Sequence, residues 1–400
     1  MSTSHARIWV GIDAGKGHHW AVAVDADGVA VFSTKVINDE AQILTLIDTA
    51  RERADEVRWA VDISGRASAL LLALLVAHGQ QVVYVPGRTV NRMSGAYRGE
   101  AKTDAKDALV IADQARLWRD FAPLDTPPEL VTTLRVLTNY RADLIADRVK
   151  LINRLRDLLV GICPALERAF DYSSAKGPVV LLTEYQTPAA LRRIGVKRLT
   201  TWLERRKVRG ADAVAAKAVE AAQSQQIALP GEKRAAKLVG DLAHQLLALD
   251  ERIKDNDREI RETFRSDERA EIIESMPGMG PILGAEFVAI VGDLSGYKDA
   301  GRLASHAGLA PVARDSGRRT NNYHRPQRYH RRLRHIFYLA AQTAMMRPGT
   351  SRDYYLKKRA EGLLHTQALL SLARRRVDVL WAMLRDKRLF TSAPPVTQAA

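Results

Sequence analysis

The first 120 residues alternate strand-like and helix-like segments in an order that few folds share. "ARIWVGID" places Ile8, Val10 and Ile12 on one face, as the two-residue period of a β-strand requires. "HHWAVAVD" predicts a second strand, and "ADG" closes a hairpin into a third, "VAVFSTKVI". A helix from about 39 to 54, the strand "VRWAVDI", the helix "ASALLLALLVAHG", the strand "QVVYVP", the basic loop "GRTVNRMSGAYRGEAK" and a helix from about Thr103 follow.

This order of elements is that of a ribonuclease H-like domain, and it predicts an α/β domain over residues 6–122. In such a sheet the first and fourth strands are neighbours, so residues at their ends would lie close together. The match is one of element order only, and it indicates an architecture without indicating an activity.

Two long amphipathic segments follow a linker, "PLDTPPEL", which is rich in proline and acid. They are "LRVLTNYRADLIADRVKLINRLRDLLVGI" and "LVGDLAHQLLALDERIKDNDREIRETF", and Asn256 falls on the apolar seam of the second. They predict an all-α region over residues 123–268, either an antiparallel coiled coil that forms a dimerisation arm or the core of an ordinary helical bundle. Between them, residues 176–230 are predicted to be helical and carry no recognisable motif.

A third, helical region is predicted over residues 269–390, followed by a disordered tail at 391–400. Near its start, "PGMG" at 277–280 stands between two helical stretches, a pattern similar to a helix-hairpin-helix. In that arrangement Gly278 and Gly280 would let backbone N–H groups approach a phosphate of nucleic acid. The alternative is a short turn that only joins two helices.

The charge of the chain favours a polyanionic partner, and nucleic acid is the first candidate. The 400 residues carry a formal net charge of +15, although a basic protein without such a partner would share it. Cys163 is the sole cysteine, which excludes a disulfide within the chain. No signal-peptide pattern opens the sequence, and no apolar run approaches the roughly 18 residues of a transmembrane helix. We therefore expect a cytoplasmic protein with no membrane partner.

Four aspartates stand where the predicted fold would gather acidic side chains. Asp13 ends the first strand, Asp62 ends the fourth, and Asp104 and Asp107 share one face at the start of a helix. Four carboxylates at one site repel each other unless divalent cations neutralise them, and hard oxygen ligands select Mg²⁺ or Mn²⁺. Two such ions, roughly 4 Å apart, activate a nucleophile and stabilise the leaving oxygen of a phosphodiester. Singly, each aspartate also fits a structural role, as a strand-end turn residue or a helix-start residue after a Thr103 cap.

Several motifs, in this order, resemble the insertion sequence 110 family of bacterial transposases, which are relatives of the Piv-type DNA invertases. They are "GIDAGK", "AVDISG", "KTDAKDA", "PGMGPILGAEFVAIVGD", "ASHAGLAPVARDSG" and "LWAMLRD". The resemblance covers nearly the whole chain. It implies an N-terminal RuvC-like domain with a four-carboxylate metal site, a coiled-coil insertion and a C-terminal transposase domain with a nucleophilic serine. It also implies DNA transposition by recombination, directed in better-understood members by a bridge RNA that the element encodes.

By this resemblance, the acidic tetrad falls on Asp13, Asp62, Asp104 and Asp107, and the serine falls on Ser316. The second tetrad position is glutamate in many members. Aspartate is shorter, so Asp62 is expected to hold a metal ion in a shifted geometry or through water.

A free serine hydroxyl is a poor nucleophile, so Ser316 needs a base or a metal ion to take up its proton. Gly317 would permit close approach of the phosphate backbone, and nearby guanidinium groups would hold the scissile phosphate: Arg314, Arg318 and Arg319. The alternative is a turn serine in a loop that only contacts DNA. A second basic run, interleaved with aromatic residues, predicts phosphate contacts and base stacking rather than only a solvated helix face: Arg325, Arg328, Arg331, Arg332 and Arg334.

These residues and the family resemblance together imply a metal-dependent DNA transposase or recombinase in which Ser316 forms a covalent phosphoserine link to DNA. Its partners would be the element ends, the target DNA, a guide RNA and further copies of the chain, as a homodimer or homotetramer at the bacterial nucleoid. One alternative is a metal-dependent endonuclease of DNA junctions, in which the four aspartates activate water and Ser316 only contacts DNA. Another is a nucleic-acid-binding protein without enzymatic activity, in which the aspartates would be dispensable.

Overall fold

The chain forms two compact units, Met1–Pro128 and Glu129–Ala400. The first is mixed α/β, and the second is rich in helices. The structure is a computed structural model, and it describes residues 5–62, 66–95, 97, 103–118, 121, 128–316, 320 and 322–392. The boundaries predicted at residues 122 and 268 stay predictions, and most of the predicted tail at 391–400 lies outside the described residues.

The first unit is a sheet with helices on both faces. Its elements are β1 (His5–Ala14), β2 (His18–Val24), β3 (Ala30–Ile37), α1 (Glu40–Arg51), β4 (Ala54–Val61), α2 (Ala69–Ala77), β5 (Gln81–Tyr84), α3 (Gly87–Ser94) and α4 (Asp104–Leu117). The strand order is β3-β2-β1-β4-β5. The first three strands pair antiparallel, and β4 runs parallel to both β1 and β5. The predicted meander and the adjacency of the first and fourth strands are therefore confirmed.

The two faces of β1 bury different partners. Ile8, Val10 and Ile12 share one face, as predicted, and pack with residues of α1 and α2. The opposite face of the strand lies against α4. This division matters for function, because successive residues of β1 alternate between the face covered by α1 and α2 and the face covered by α4.

The prediction of a basic loop over residues 87–102 is wrong for its first half, which forms α3. Val90 is buried and Met93 is partly buried, and both belong to an apolar cluster with Val85 and Ile111. Residues three apart share one helical face, so these two apolar side chains stabilise a helix that the surrounding arginines obscure in the sequence.

The described part of the second unit consists of helices and a small hairpin. Its elements are α5 (Glu129–Ile162), α6 (Pro164–Ala169), α7 (Lys176–Leu182), α8 (Pro188–Arg205), α9 (Ala211–Gln223), α10 (Glu232–Arg265), α11 (Ala270–Ser275), α12 (Pro281–Val291), α13 (Ala300–His306), β6 (Val312–Ala313), β7 (Tyr323–His324), α14 (Arg331–Met345), α15 (Thr350–Ala360) and α16 (His365–Arg385). The helical character predicted for residues 176–230 is confirmed by α7, α8 and α9.

The two long predicted helices, α5 and α10, pair with each other inside the chain. Arg141 of α5 bonds Asp257 of α10 at 2.6 Å, and Arg148 bonds Asp250 at 2.6 Å. Residues later in α5 therefore contact residues earlier in α10, which shows that the two helices are antiparallel. Asn256, on the seam, is buried and donates to a backbone carbonyl of α5 at 3.4 Å. One half of the pair packs with α7, α8 and α9, and the other half contributes to the apolar core that includes α12 and α14.

The glycine turn between α11 and α12 joins two helices, as predicted. Gly278 has φ of +83°, and a β carbon there would lie 2.4 Å from the backbone oxygen of Ala340. Only glycine fits this close approach of the turn to α14. Gly280 has open space around it and immediately precedes α12, and its contact with a phosphate stays a prediction. Within the described residues, no helix combines the length and the apolar character that crossing a membrane requires.

Candidate functional site

The ends of β1 and β4 place two aspartates side by side. Ile12 of β1 pairs in parallel register with Val61 of β4, and Asp13 and Asp62 are the next residues of the two chain segments. Ile12 and Val61 belong to the apolar cluster with α1 and α2. Because successive side chains alternate between faces, the two aspartates belong to the opposite face. Both are half-buried there.

Helix α4 covers that face at very close range. A β carbon on Gly11, two residues before Asp13, would lie 2.3 Å from the backbone oxygen of Ala108 and 2.2 Å from the backbone nitrogen of Ala112. The helix therefore rests on the backbone of β1, and only glycine permits this contact. Its first turn is held close to the end of the strand.

The other two aspartates occupy that first turn. Asp104 and Asp107 lie where the positive end of the helix dipole favours carboxylates, and the Thr103 hydroxyl caps the helix by accepting a backbone hydrogen bond of 3.2 Å. Asp104 Oδ2 is 3.3 Å from Nε2 of His18, which begins β2 beside the end of β1. The first turn of α4 thus lies at the same end of the sheet as the two strand-end aspartates.

The four aspartate positions share one end and one face of the sheet without forming a finished coordination shell. Within the described residues, no three His, Cys, Asp or Glu side chains converge closely enough to hold a metal ion. The donor set nevertheless fits a hard divalent cation in kind, because carboxylate oxygens are the ligands that Mg²⁺ and Mn²⁺ prefer. The Asp104 side chain is 59% exposed, so it is free to change rotamer.

Sequence reasoning missed His18, which contacts Asp104. The available signal was the pair of histidines at the start of the second strand. Alternation along β2 puts His18 on the same face as Trp20 and Val22, which is the face that α4 covers. The histidine therefore belongs to the candidate site as a neighbour of a carboxylate.

Gly11→Ala is expected to destabilise the first unit by about 1–3 kcal/mol, because the added methyl group must push α4 away from β1. Urea unfolding gives the loss of stability, and hydrogen exchange in α4 should rise with it. Gly17→Ala is the matched control, since a β carbon at Gly17 meets nothing within 4 Å. Equal stability of the two variants would contradict the close packing of α4.

Ser316 lies on an exposed hairpin that sequence reasoning missed. Strands β6 and β7 pair antiparallel, and the Arg314 N–H donates to the Asn322 carbonyl at 2.8 Å. The Asn322 N–H in turn donates to Asp315 Oδ1 at 2.9 Å. Each strand has only two residues, too few for an alternating pattern to appear in the sequence. Three of the residues discussed above lie outside the described part of the chain: Gly317, Arg318 and Arg319.

A concave site of about 410 Å³ lies beside the hairpin. It is lined in part by Arg314, His324, Arg325 and Tyr329. The Arg334 guanidinium carbon lies 4.8 Å from the centre of the Tyr329 ring. Hydrogen bonding from Arg325, with Arg334 nearby, lowers the pKa of the Tyr329 hydroxyl. A concave surface with two guanidinium groups and a phenol in it suits a phosphate group.

The other predicted arginine contacts divide into two kinds. Arg328 and Arg331 are exposed. Arg332 is instead engaged inside the unit, where it donates to Asn139 Oδ1 at 2.5 Å and lies 3.6 Å from Glu286. Its guanidinium ties α14 to α5 and α12.

Two histidines and a tyrosine cluster between the end of α13 and the start of α14. The Tyr297 hydroxyl is 2.6 Å from His306 Nδ1, and the His330 N–H donates to the His306 carbonyl at 2.8 Å. The two imidazole rings stand 5.3 Å apart. Burial lowers the pKa of both histidines from the ordinary value of 6.5.

The second unit is therefore expected to lose stability as the pH falls below 6.5. The unfolded chain protonates its histidines at their ordinary pKa, while the folded chain holds His306 neutral to a lower pH. The unfolded state thus binds more protons in this window, and the free energy of unfolding falls. Urea midpoints at about pH 7.5 and 5.5 should shift less in His306→Asn than in wild type or in the exposed-site control His335→Asn. Equal shifts in all three proteins would contradict this account.

Two family models match the chain. One, DEDD_Tnp_IS110, is described as a transposase and matches residues 10–164, which include all four aspartates. The other is described as "Transposase IS116/IS110/IS902 family" and matches residues 270–356, which include Ser316.

Curated relatives match over essentially the whole length. The "Insertion element IS116 uncharacterized 44.8 kDa protein" of Streptomyces clavuligerus is 88% identical over 100% of both chains. The "Insertion element IS900 uncharacterized 42 kDa protein" of Mycobacterium paratuberculosis is 50% identical over 98% of this chain and 99% of its own.

Among solved structures, T. thermophilus RuvC in complex with Holliday junction substrate is similar over 30% of this chain and 99% of its own, at 18% identity and a TM-score of 0.24. A score this low supports no conclusion about fold or function. The family models and the full-length relatives do support one: the chain belongs to the IS116/IS110/IS902 family of transposases.

Proposed function

We propose that this transposase excises and inserts its element by cutting and rejoining DNA, with Ser316 as the nucleophile and Asp13, Asp62, Asp104 and Asp107 as metal ligands. One observation carries the proposal: the strand register and the contacts of α4 gather four aspartates at one end and one face of a sheet. A structural role explains each aspartate alone, but it does not explain four of them together.

The reaction proposed for Ser316 is a phosphoryl transfer that conserves the bond. The serine oxygen attacks the phosphorus of a DNA phosphodiester, a bond from phosphorus to a deoxyribose oxygen breaks, and that oxygen leaves with a proton as a free hydroxyl. The DNA is then linked to the protein as a phosphoserine. A hydroxyl group of a second DNA end reverses the step, so the strands rejoin without ATP.

The protein side chains have separate tasks in this scheme. Arg314 and Arg325 hold the scissile phosphate and stabilise charge on its oxygens. The four aspartates would hold Mg²⁺ or Mn²⁺, and His18 contacts one of them, Asp104. When bound, such ions supply Lewis-acid charge to the attacking and leaving oxygens. By the family resemblance, Asp62 takes the position that glutamate holds in many members, and it follows Val61, the strand partner of the residue before Asp13.

An element-encoded bridge RNA is the proposed guide, and a homodimer or homotetramer at the nucleoid is the proposed assembly. The family resemblance and the net charge of +15 support these partners. Purification from cells that carry the element, followed by sequencing of the bound RNA, tests the guide. Enrichment of one transcript of the element supports it, and random cellular RNA contradicts it.

A denaturing gel tests the reaction. Labelled DNA that carries an element end is incubated with protein and Mg²⁺, and half of each sample is digested with protease. A covalent intermediate retards the label until protease releases it. An endonuclease that activates water would instead leave free DNA ends that protease does not change.

A further inference from the structure

A cavity of about 750 Å³ lies between α15, α16 and the segment that follows α16. It shares no lining residue with the concave site beside the Ser316 hairpin. Its size falls in the range of small-ligand sites in proteins. None of the residues considered above as a catalytic group or a DNA contact lines it.

A buried cation forms one wall of the cavity. Arg376 is only 3% exposed, and it donates to the Pro277 carbonyl and, at 3.4 Å, to Ser351 Oγ. Its Nε has no hydrogen-bond partner within the described residues. Burial lowers the pKa of its guanidinium to about 10.

An unpaired buried charge is costly, and an anion that enters the cavity would compensate it. Further cations line the cavity, and two of them are Lys357 and Arg375. Two of the charged side chains in the lining have partners outside it: Asp378 bonds Arg374, and Arg388 lies 3.6 Å from Asp386. Among the described residues, the lining has four cations, Lys357, Arg375, Arg376 and Arg388, and two carboxylates, Asp353 and Asp378, so it keeps a net positive charge.

The remaining wall is apolar and contains an aromatic ring. Leu372, Val379, Met383 and Phe390 line it, together with Tyr354. The Arg375 guanidinium carbon is 5.2 Å from the centre of the Tyr354 ring. Aromatic rings beside arginine are the usual platform for a nucleobase. The cavity thus offers a site for an anion next to a site for a flat apolar group.

We propose that this cavity binds one nucleotide of a single nucleic-acid strand, with its phosphate at Arg376 and its base against Tyr354 and the apolar wall. This proposal rests on the proposed function only in assigning the bound strand to the DNA or RNA of the transposition reaction. A nucleotide must leave its stack to enter, so the cavity selects unpaired DNA or RNA.

The probe is 2-aminopurine deoxyriboside 5′-monophosphate, whose fluorescence falls when its base stacks. The whole chain carrying Ser316→Ala is used, so that binding is measured without strand cleavage. The nucleotide should quench on binding, and thymidine 5′-monophosphate should displace it at least about tenfold more effectively than thymidine or inorganic phosphate. Uridine 5′-monophosphate, compared with its deoxy counterpart, distinguishes RNA from DNA as the source.

Two variants and two matched controls assign the site. Arg376→Met and Lys357→Glu should each weaken nucleotide binding at least about tenfold. The controls Arg385→Met on α16 and Arg352→Glu on α15, whose side chains lie outside the cavity lining, should stay within about twofold. If Arg376→Met does not fold, Lys357→Glu and its control decide the matter.

Three results would overturn the proposal. The first is that the fluorescence of the 2-aminopurine nucleotide does not fall when the unaltered cavity is present. The second is that thymidine displaces the nucleotide as effectively as thymidine 5′-monophosphate does. The third is that Lys357→Glu leaves nucleotide binding unchanged. Failure of strand exchange alone would leave nucleotide binding intact, because the binding assay requires no reaction at Ser316. The two proposals therefore fail separately.

Discussion

Ser316→Ala is expected to reduce covalent attachment of DNA, and with it strand exchange, by at least about 10³-fold. Alanine has no oxygen to attack phosphorus, so the protein–DNA link has no atom from which to form. DNA binding should stay within about twofold, because the substitution removes no charge and phosphate contacts dominate affinity. The hairpin should also survive, since its described hydrogen bonds join Arg314, Asp315 and Asn322 rather than the serine side chain.

The matched control is Ser305→Ala, at an exposed serine of α13. It tests whether loss of any surface hydroxyl in this unit impairs the reaction. Strand exchange by Ser316→Ala at the wild-type rate would show that the serine only contacts DNA. In that case activation of water by the aspartates would become the better account.

Replacement of Asp104 and Asp107 together by asparagine should reduce strand cleavage by about 10³-fold or more, because carboxylate charge is what holds a divalent ion. The fold should tolerate the change. The helix loses two favourable dipole contacts and is relieved of one like-charge pair, so the free energy of unfolding should change by no more than about 1 kcal/mol. Chelation of divalent ions in the wild-type protein should have the same effect on cleavage and be reversed by Mg²⁺.

Asp55→Asn is the control for this pair. Asp55 is exposed and belongs to the opposite end of β4 from Asp62. A double variant that cleaves DNA normally would leave Asp104 and Asp107 as helix-start residues only. If the double variant unfolds, the single variants Asp104→Asn and Asp107→Asn are measured instead, since each removes only one charge.

The fold of the first unit was accessible from sequence because its signals are local and consistent. The alternation along β1, the "ADG" turn and the apolar helix α2 each predict one element. Chain order then predicts that β1 and β4 are neighbours. Helix α3 was missed because only Val90 and Met93 mark its buried face among basic residues.

The candidate site was accessible in part. The four aspartates were found because each ends a strand or begins a helix, and such positions are recognisable in sequence. The contact of His18 with Asp104 was not found, because it depends on where the first turn of α4 lies along the sheet. The close approach of α4 to β1 at Gly11 is likewise visible only in the structure, because a glycine in the sequence does not show which backbone packs against it.

In the second unit, the features that could not be predicted from the sequence depend mostly on packing between distant residues. The role of Arg332 as an internal tie between helices and the burial of Arg376 beside the glycine turn both depend on residues about 100 or more positions away. A basic run in sequence looks the same whether its members face solvent or the core. The strands of the hairpin that carries Ser316 are likewise too short to be recognised from the sequence.

The most direct test of the central claim is to identify the atom that carries the DNA. The covalent complex formed with element-end DNA and Mg²⁺ is trimmed with nuclease, digested with trypsin and sequenced by mass spectrometry. The account predicts a nucleotide mass on the peptide that contains Ser316 and on no other peptide. A modified residue elsewhere, or cleaved DNA with no modified peptide, would contradict it.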